Sequence, residues 1–266
     1  MSAWKALVGR VTLFRGPMPS GPAPSALDLY VRVWGRNPDN FQSSPNALVP
    51  TVAQGKRVSL MVGCFAQQMR IDFNFSPVPS TRQGPNTTLE LIDDTRQLHA
   101  ELARLIDSVP GVIGTAPVVR VGLTLHFLTL TQSTEEANSI LTGTMPSQYR
   151  TQIAKEEDFV FQINRPRPSR AIEGVRMNHL VKWSVDRFQV VNIAIPVGAP
   201  AVISGNMTSQ QGQSYIAASV TFDNNNVPVD TPLDGNQQSS LLREALSAAE
   251  KTQRETDLGI EGFSDV

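Results

Sequence analysis

Residues 92–130 read IDDTRQLHAELARLIDSVPGVIGTAPVVRVGLTLHFLTL, and the change of period within this stretch decides the fold class. Leu98, Leu102, Leu105, Ile106 and Val109 recur every three or four residues, which lines one side of a helix with apolar groups. Asp94, with Gln97 three residues on, has the spacing of a capping box, and Pro110-Gly111 is expected to end the helix. From Val119 the period drops to two. Val119, Val121, Leu123, Leu125 and Phe127 alternate with Arg120, Gly122, Thr124 and His126, the pattern of a strand with one buried face. A helix stripe and a strand face joined by a short loop can cover each other, so this unit is expected to be the folding centre.

Toward the N-terminus, Val8 to Phe14 reads as a strand that runs into a proline-stiffened connection from Gly16 to Pro24. Ser25 with Asp28 opens a short helix with Leu27, Tyr30, Val31 and Trp34 on one face and Gly35 as its stop. Residues 36–55 carry Pro38, Pro45 and Pro50 and are expected to form a long loop packed around Phe41 and Leu48. Strands are expected at about 57–65 and 69–75, the second with Asp72 and Asn74 on a wet face. Ser76 to Thr88 is again rich in proline, glycine and serine, a connection leading into the 92–130 unit.

Toward the C-terminus, Ser133 with Glu136 starts a helix ending near Gly143, and 146–155 is expected to hold a helical turn. Phe159, Phe161 and Ile163 alternate as a strand. A long strand or hairpin is expected over 180–197, with a bulge or turn near Asp186-Arg187 because polar residues interrupt the apolar alternation there. Ile216, Ala218, Val220 and Phe222 form the last strand, Asn224 to Asn226 a turn, and Ser239 to Gln253 the closing helix. Strands follow one another without an obligatory helix between each pair. This predicts an α+β fold, mainly antiparallel sheet with a few packed helices, rather than a doubly wound one. Residues 1–254 are read as one domain, with a sub-division near 132–156, and 255–266 as an acidic, loosely held tail. The strand-strand-helix rhythm of 57–109 recurs over 180–253, which suggests a degenerate duplication.

The 266 residues are 40% hydrophobic and 18% charged with a net charge of −1, ordinary for a globular chain and unlike the basic excess of an obligate nucleic-acid binder. The one cysteine, Cys64, lies in an apolar run and is expected to be an inert buried thiol. No apolar run is long enough to span a membrane, and residues 1–15 lack the core of a signal peptide, so a cytoplasmic protein without a membrane association is expected.

Three histidines stand alone in sequence: His99, His126 and His179. None has a second ligand at a metal-binding spacing, so neither a metal nor another cofactor is expected. His126 is the strongest candidate for a catalytic base because a polar sheet face can line a groove; His99 and His179 follow. There is no G-x-S-x-G elbow and no glycine-rich phosphate loop. The most distinctive local signal is Arg165-Pro-Arg-Pro-Ser-Arg170. Three arginines on a proline-stiffened segment can grip phosphates, nucleic acid or an acidic partner, or serve as a polyproline ligand; the favoured reading is a strand exit whose arginines are solvated or pair with nearby acids. If the segment binds, Arg165, Arg167 and Arg170 are the binding residues. Asp93-Asp94 and Glu156-Glu157-Asp158 are read as cap and surface charges.

The acid-led helix from Asp93, Val119-Arg-Val-Gly-Leu123, Phe161-Gln-Ile-Asn-Arg-Pro-Arg167, and the closing strand followed by a helix from Ser239 resemble a sporadically distributed family of uncharacterised bacterial proteins of about this length. The resemblance covers about 69–254 and leaves out the proline-rich N-terminal connection. It implies a bacterial cytosolic protein, carried on mobile or defence-related loci, and supplies no catalytic residues. The functional expectation is a non-enzymatic binding or assembly protein acting through a protein partner or self-association. The alternative is a hydrolase or nucleic-acid-processing enzyme whose site assembles from distant residues.

Overall fold

The computed structural model describes residues 4–16, 24–43, 50–79, 88–112, 117–145, 150, 159–190 and 213–255. In chain order these form β1 (Lys5–Arg15), α1 (Ala26–Trp34), β2 (Asn40–Gln42), β3 (Thr51–Arg57), β4 (Leu60–Ala66), β5 (Arg70–Pro77) and α2 (Thr95–Val112). They continue as β6 (Val118–Thr131), α3 (Thr134–Thr144), β7 (Val160–Asn164), β8 (Arg167–Pro168), β9 (Arg176–Val190), β10 (Gln213–Asn226) and α4 (Gly235–Glu255). The ten strands make one sheet in the order β2-β3-β4-β5-β1-β6-β10-β9-β7, with β8 also on β9. Every pairing is antiparallel, as an α+β reading requires.

The strand-strand-helix rhythm is present as β4-β5-α2 and β9-β10-α4, and each copy is preceded by a long strand and a short helix. In each half the leading strand pairs with the last one: β1 with β5, and β6 with β10. The halves then join through β1 against β6, while α2 and α4 pack side by side above that seam. Physical economy favours this arrangement, because two amphipathic helices and one sheet face close a single core. Val121, Leu123, Leu125 and Phe127 are fully buried under the helices, as are Leu98, Leu102, Leu105, Ile106 and Val109 or nearly so. Gly9 lets α2 approach β1: a Cβ there would lie 2.8 Å from a Leu98 methyl.

Local caps explain where the helices start. Ser25, Asp94 and Ser133 accept from the backbone N–H groups of Asp28, Gln97 and Glu136. Asp234 and Gln237 form a reciprocal capping box, which starts α4 four residues before the expected Ser239. In α1 the buried face is Ala26, Leu29, Tyr30, Val33 and Trp34, so Leu27 and Val31 sit at its margin rather than on it. Trp34 packs edge-on to Phe73 and Phe75 of β5.

Several expectations need correction. α2 does not stop at Pro110 but runs to Val112. Proline has no N–H for the carbonyl of Ile106, and that carbonyl instead accepts a hydrogen bond from Ser239 Oγ of α4 at 2.8 Å. The region 36–55 is not all loop: it holds β2 and β3, with Phe41 exposed and Leu48 outside the described residues. β9 keeps its register on β10 through Asp186 and Arg187 without a bulge. Arg187 and Gln189 are exposed on that end of the strand, and Arg187 donates to Thr134 Oγ1 at the start of α3 at 3.4 Å. Asn224 to Asn226 end β10 as strand, not as a turn. The helical turn expected at 146–155 (Arg150 apart), most of the 255–266 tail and residues 191–197 lie outside the described residues.

β3 and β4 are joined at Val58-Ser59, and Val58 has φ 53°, a left-handed conformation that penalises a β-branched residue. Val58 is 73% exposed, so its side chain contributes little packing to offset that strain. Val58→Asn is expected to raise the unfolding free energy by about 1 kcal/mol. A urea midpoint that stays unchanged or falls would show the turn to be unstrained.

Candidate functional site

The Arg-Pro segment is built onto α4. Arg165 donates its N–H to the His179 carbonyl at 2.9 Å, Arg167 and Pro168 pair with Met177 and Arg176, and Ser169 donates its N–H to the Val175 carbonyl at 2.8 Å. The chain then turns through Gly174, whose φ of 79° suits glycine. Ser169 Oγ accepts from the N–H groups of Ala171 and Ile172 and donates to the Glu244 carboxylate at 2.6 Å. The N–H groups of Arg170 and Ala171 also point at that carboxylate, at 3.1 and 3.2 Å. Burial pushes the Glu244 carboxyl up, but these hydrogen bonds and the Arg167 charge outweigh it and hold the pKa below the usual range.

Fastening the turn in this way opens a cleft of about 380 Å³ between the segment and α4. Arg167 and Arg170 line one wall; Ser240, Arg243, Ser247 and Lys251 line the other. The α4 residues recur at helical spacing on its polar side, so the missed signal was the hydrophilic stripe opposite Leu241, Leu242, Ala245 and Ala249. Arg243 also reaches back to Asp107 of α2 at 2.7 Å. Arg167 Nε is buried and has no hydrogen-bond partner. Of the three expected binding residues, the structure brings Arg167 and Arg170 together; Arg165 is exposed and does not line the cleft.

The histidines do not converge. His99 lies against Glu250 and so ties α2 to α4. His179 is buried on β9, with Nδ1 3.3 Å from Asn224 Oδ1; burial and then the Arg167 charge push its pKa down. His126 faces away from α2 and α4, on the polar side of the sheet. Its Nε2 is 2.6 Å from Ser219 Oγ and 3.3 Å from Asp186 Oδ2, and Ser184 donates to Asp186 at 2.8 Å. Burial pushes Asp186 up, but hydrogen bonds from His126, Ser219 and Ser184 outweigh it and lower it to about 2. A serine relay needs the serine on one ring nitrogen and the carboxylate on the other; here both meet the same nitrogen.

Cys64 is fully buried in β4, and burial and then the charge of Asp72 push its thiol pKa up. Asp94 caps α2 and Asp93 pairs with Lys5, whereas 156–158 lie outside the described residues. Among the described residues, no group of three or more histidine, cysteine or acidic side chains is placed to hold a metal. No helix among them is long and apolar enough to cross a membrane. No family model matches the chain, and no curated protein or solved structure is significantly similar to it.

Proposed function

We propose that this chain is a non-enzymatic binding and assembly protein whose cleft beside α4 receives an anionic segment of a protein partner. One observation carries this reading: Glu244 fastens the Arg-Pro turn to α4, which sets Arg167 and Arg170 opposite Arg243 and Lys251 around a single opening. Converging cations on rigid elements lose little freedom when they engage an anion, and they favour acidic partners over others. A bacterial cytosolic setting, and a locus of the mobile or defence type, belong to the same proposal through the resemblance of the Arg-x-Gly-Leu strand and the Arg-Pro segment.

The enzymatic reading has the contact between His126 and Ser219 in its favour. It is the weaker one, because Asp186 shares the histidine nitrogen that would have to take the serine proton.

The test uses poly-L-glutamate as the probe. The parent protein is expected to bind it at low salt and to release it as exposed charges are screened. Arg170→Gln combined with Lys251→Gln is expected to weaken binding about tenfold or more, with the thermal midpoint little changed because both side chains are exposed. Equal binding by parent and variant would sink the proposal.

A further inference from the structure

We infer that two copies of this chain join along β7, continuing the sheet across a two-fold axis at Gln162. β7 is the last strand of the sheet, and among the described residues nothing pairs with its outer edge. Two bonds to β9 fix which groups face outward: Arg165 donates its N–H to the His179 carbonyl, and the Phe159 carbonyl accepts from the Val185 N–H at 3.1 Å. Hydrogen-bonded positions alternate along an antiparallel ladder, so Phe161 and Ile163 also direct their backbone groups at β9. Val160, Gln162 and Asn164 therefore turn theirs away from the sheet. The same alternation puts Pro166 and Pro168 at outward positions, where a missing N–H costs the ladder nothing. These prolines blunt the edge beyond Asn164 and leave residues 160–164 open to another strand.

That window matches itself. With the axis at Gln162, antiparallel pairing sets Gln162 against Gln162 of the second copy and Val160, 61% exposed in the single chain, against its Asn164. Every outward N–H and C=O then finds a partner, because each such pair exchanges both of its backbone hydrogen bonds. On the helix side, where Phe161 packs on Trp183, Phe161 falls opposite Ile163 of the second copy and Phe159 opposite its Arg165. Half-buried apolar groups gain cover there, and the arginine meets a ring rather than a like charge. Residues 160–164 carry no charge, so two copies approach without repulsion. β2, at the opposite edge, has three residues and offers no comparable length. The pairing is short beside a standard interface, so a dissociation constant of about 1–100 µM is expected. None of residues 160–164 lines the α4 cleft, so dimer formation and anion binding are independent.

The test is sedimentation velocity of the intact chain from about 1 to 300 µM, a range that brackets the expected constant. The parent is expected to shift reversibly to a species of twice the 29.0 kDa chain mass. Gln162→Pro removes an outward N–H at an exposed edge position, and is expected to weaken the dimer about tenfold or more with the thermal midpoint little changed. Gln162→Lys and Gln162→Glu, each setting like charges face to face on the axis, are expected to weaken it about fivefold. An equimolar mixture of the two is expected to recover the dimer, and this pair keeps the test decisive should Gln162→Pro unfold. Phe41→Lys, on β2 and 43% exposed in the parent, should leave the dimer unchanged. A parent that stays monomeric throughout, a dimer indifferent to every Gln162 variant, or a mixture that fails to pair would overturn the inference. Growth without limit as concentration rises would overturn it as well, since β7 would then meet β2 of the next chain head to tail.

Discussion

Phe127→Ala is expected to lower the unfolding free energy by about 3–5 kcal/mol. Phe127 is fully buried in β6, with Cα partners Ala6 on β1 and Val220 on β10. Its ring meets Phe222 edge to face, with centroids 6.1 Å apart and planes at 74°. Truncation removes the apolar transfer term, the ring pair and the packing that ties both halves to one sheet. Because the deleted group lies beside the seam between β1 and β6, urea unfolding is expected to stay a single transition displaced to lower denaturant. Leu130→Ala on the same strand, at a position 39% exposed, should move the midpoint far less. A loss below about 1 kcal/mol, or a transition that splits in two, would show that the seam does not couple the halves.

The second large effect is polar. Asn226 is fully buried; its Oδ1 accepts from the Val121 N–H at 2.7 Å, and its Nδ2 donates to the carbonyls of Val119 and Val227 at 3.3 and 2.7 Å. It takes over where the ladder between β6 and β10 ends at Gly122 and Asn225. Asn226→Ala leaves a buried N–H and carbonyl oxygens without this partner, and is expected to cost about 2–4 kcal/mol. The local signature is faster hydrogen exchange at the Val121 amide, measured by NMR. If that amide stays as protected as in the parent, the side chain is not its partner in solution and the account of the strand end is wrong.

The two predictions differ in how far the sequence anticipates them. Phe127 could be placed in the core because alternation over Val121 to Phe127 is a local property of the chain. Asn226 could not, because Asn-Asn-Asn is a turn signal by propensity and becomes strand only when a neighbouring strand offers backbone groups to satisfy. The same division runs through the cleft. Arg165, Arg167 and Arg170 stand out as a sequence run, yet only two of them line it, because Arg165 precedes β8 and points to solvent. Arg243 and Lys251 gave no signal on their own. They are ordinary surface residues of an amphipathic helix until the turn at Ser169 is fastened beside them. His126 was singled out for lying on a polar strand face, and its neighbours Ser219 and Asp186, on β10 and β9, are remote in sequence.

By itself the sequence determined the periods, and with them the apolar faces of α2, β6, β10 and α4, the caps at Ser25, Asp94 and Ser133, and the mainly antiparallel α+β class. These depend on residues within one or two turns of each other, so the chain carries them locally. Tertiary structure alone decided where strands meet and which polar groups are shared. It carried α2 past Pro110 by lending Ser239 to the Ile106 carbonyl, made a strand of β3, and gathered the cleft's cations from two elements. Such contacts are set by the requirement that every buried donor and acceptor be satisfied across the whole core, and no local pattern encodes that sum.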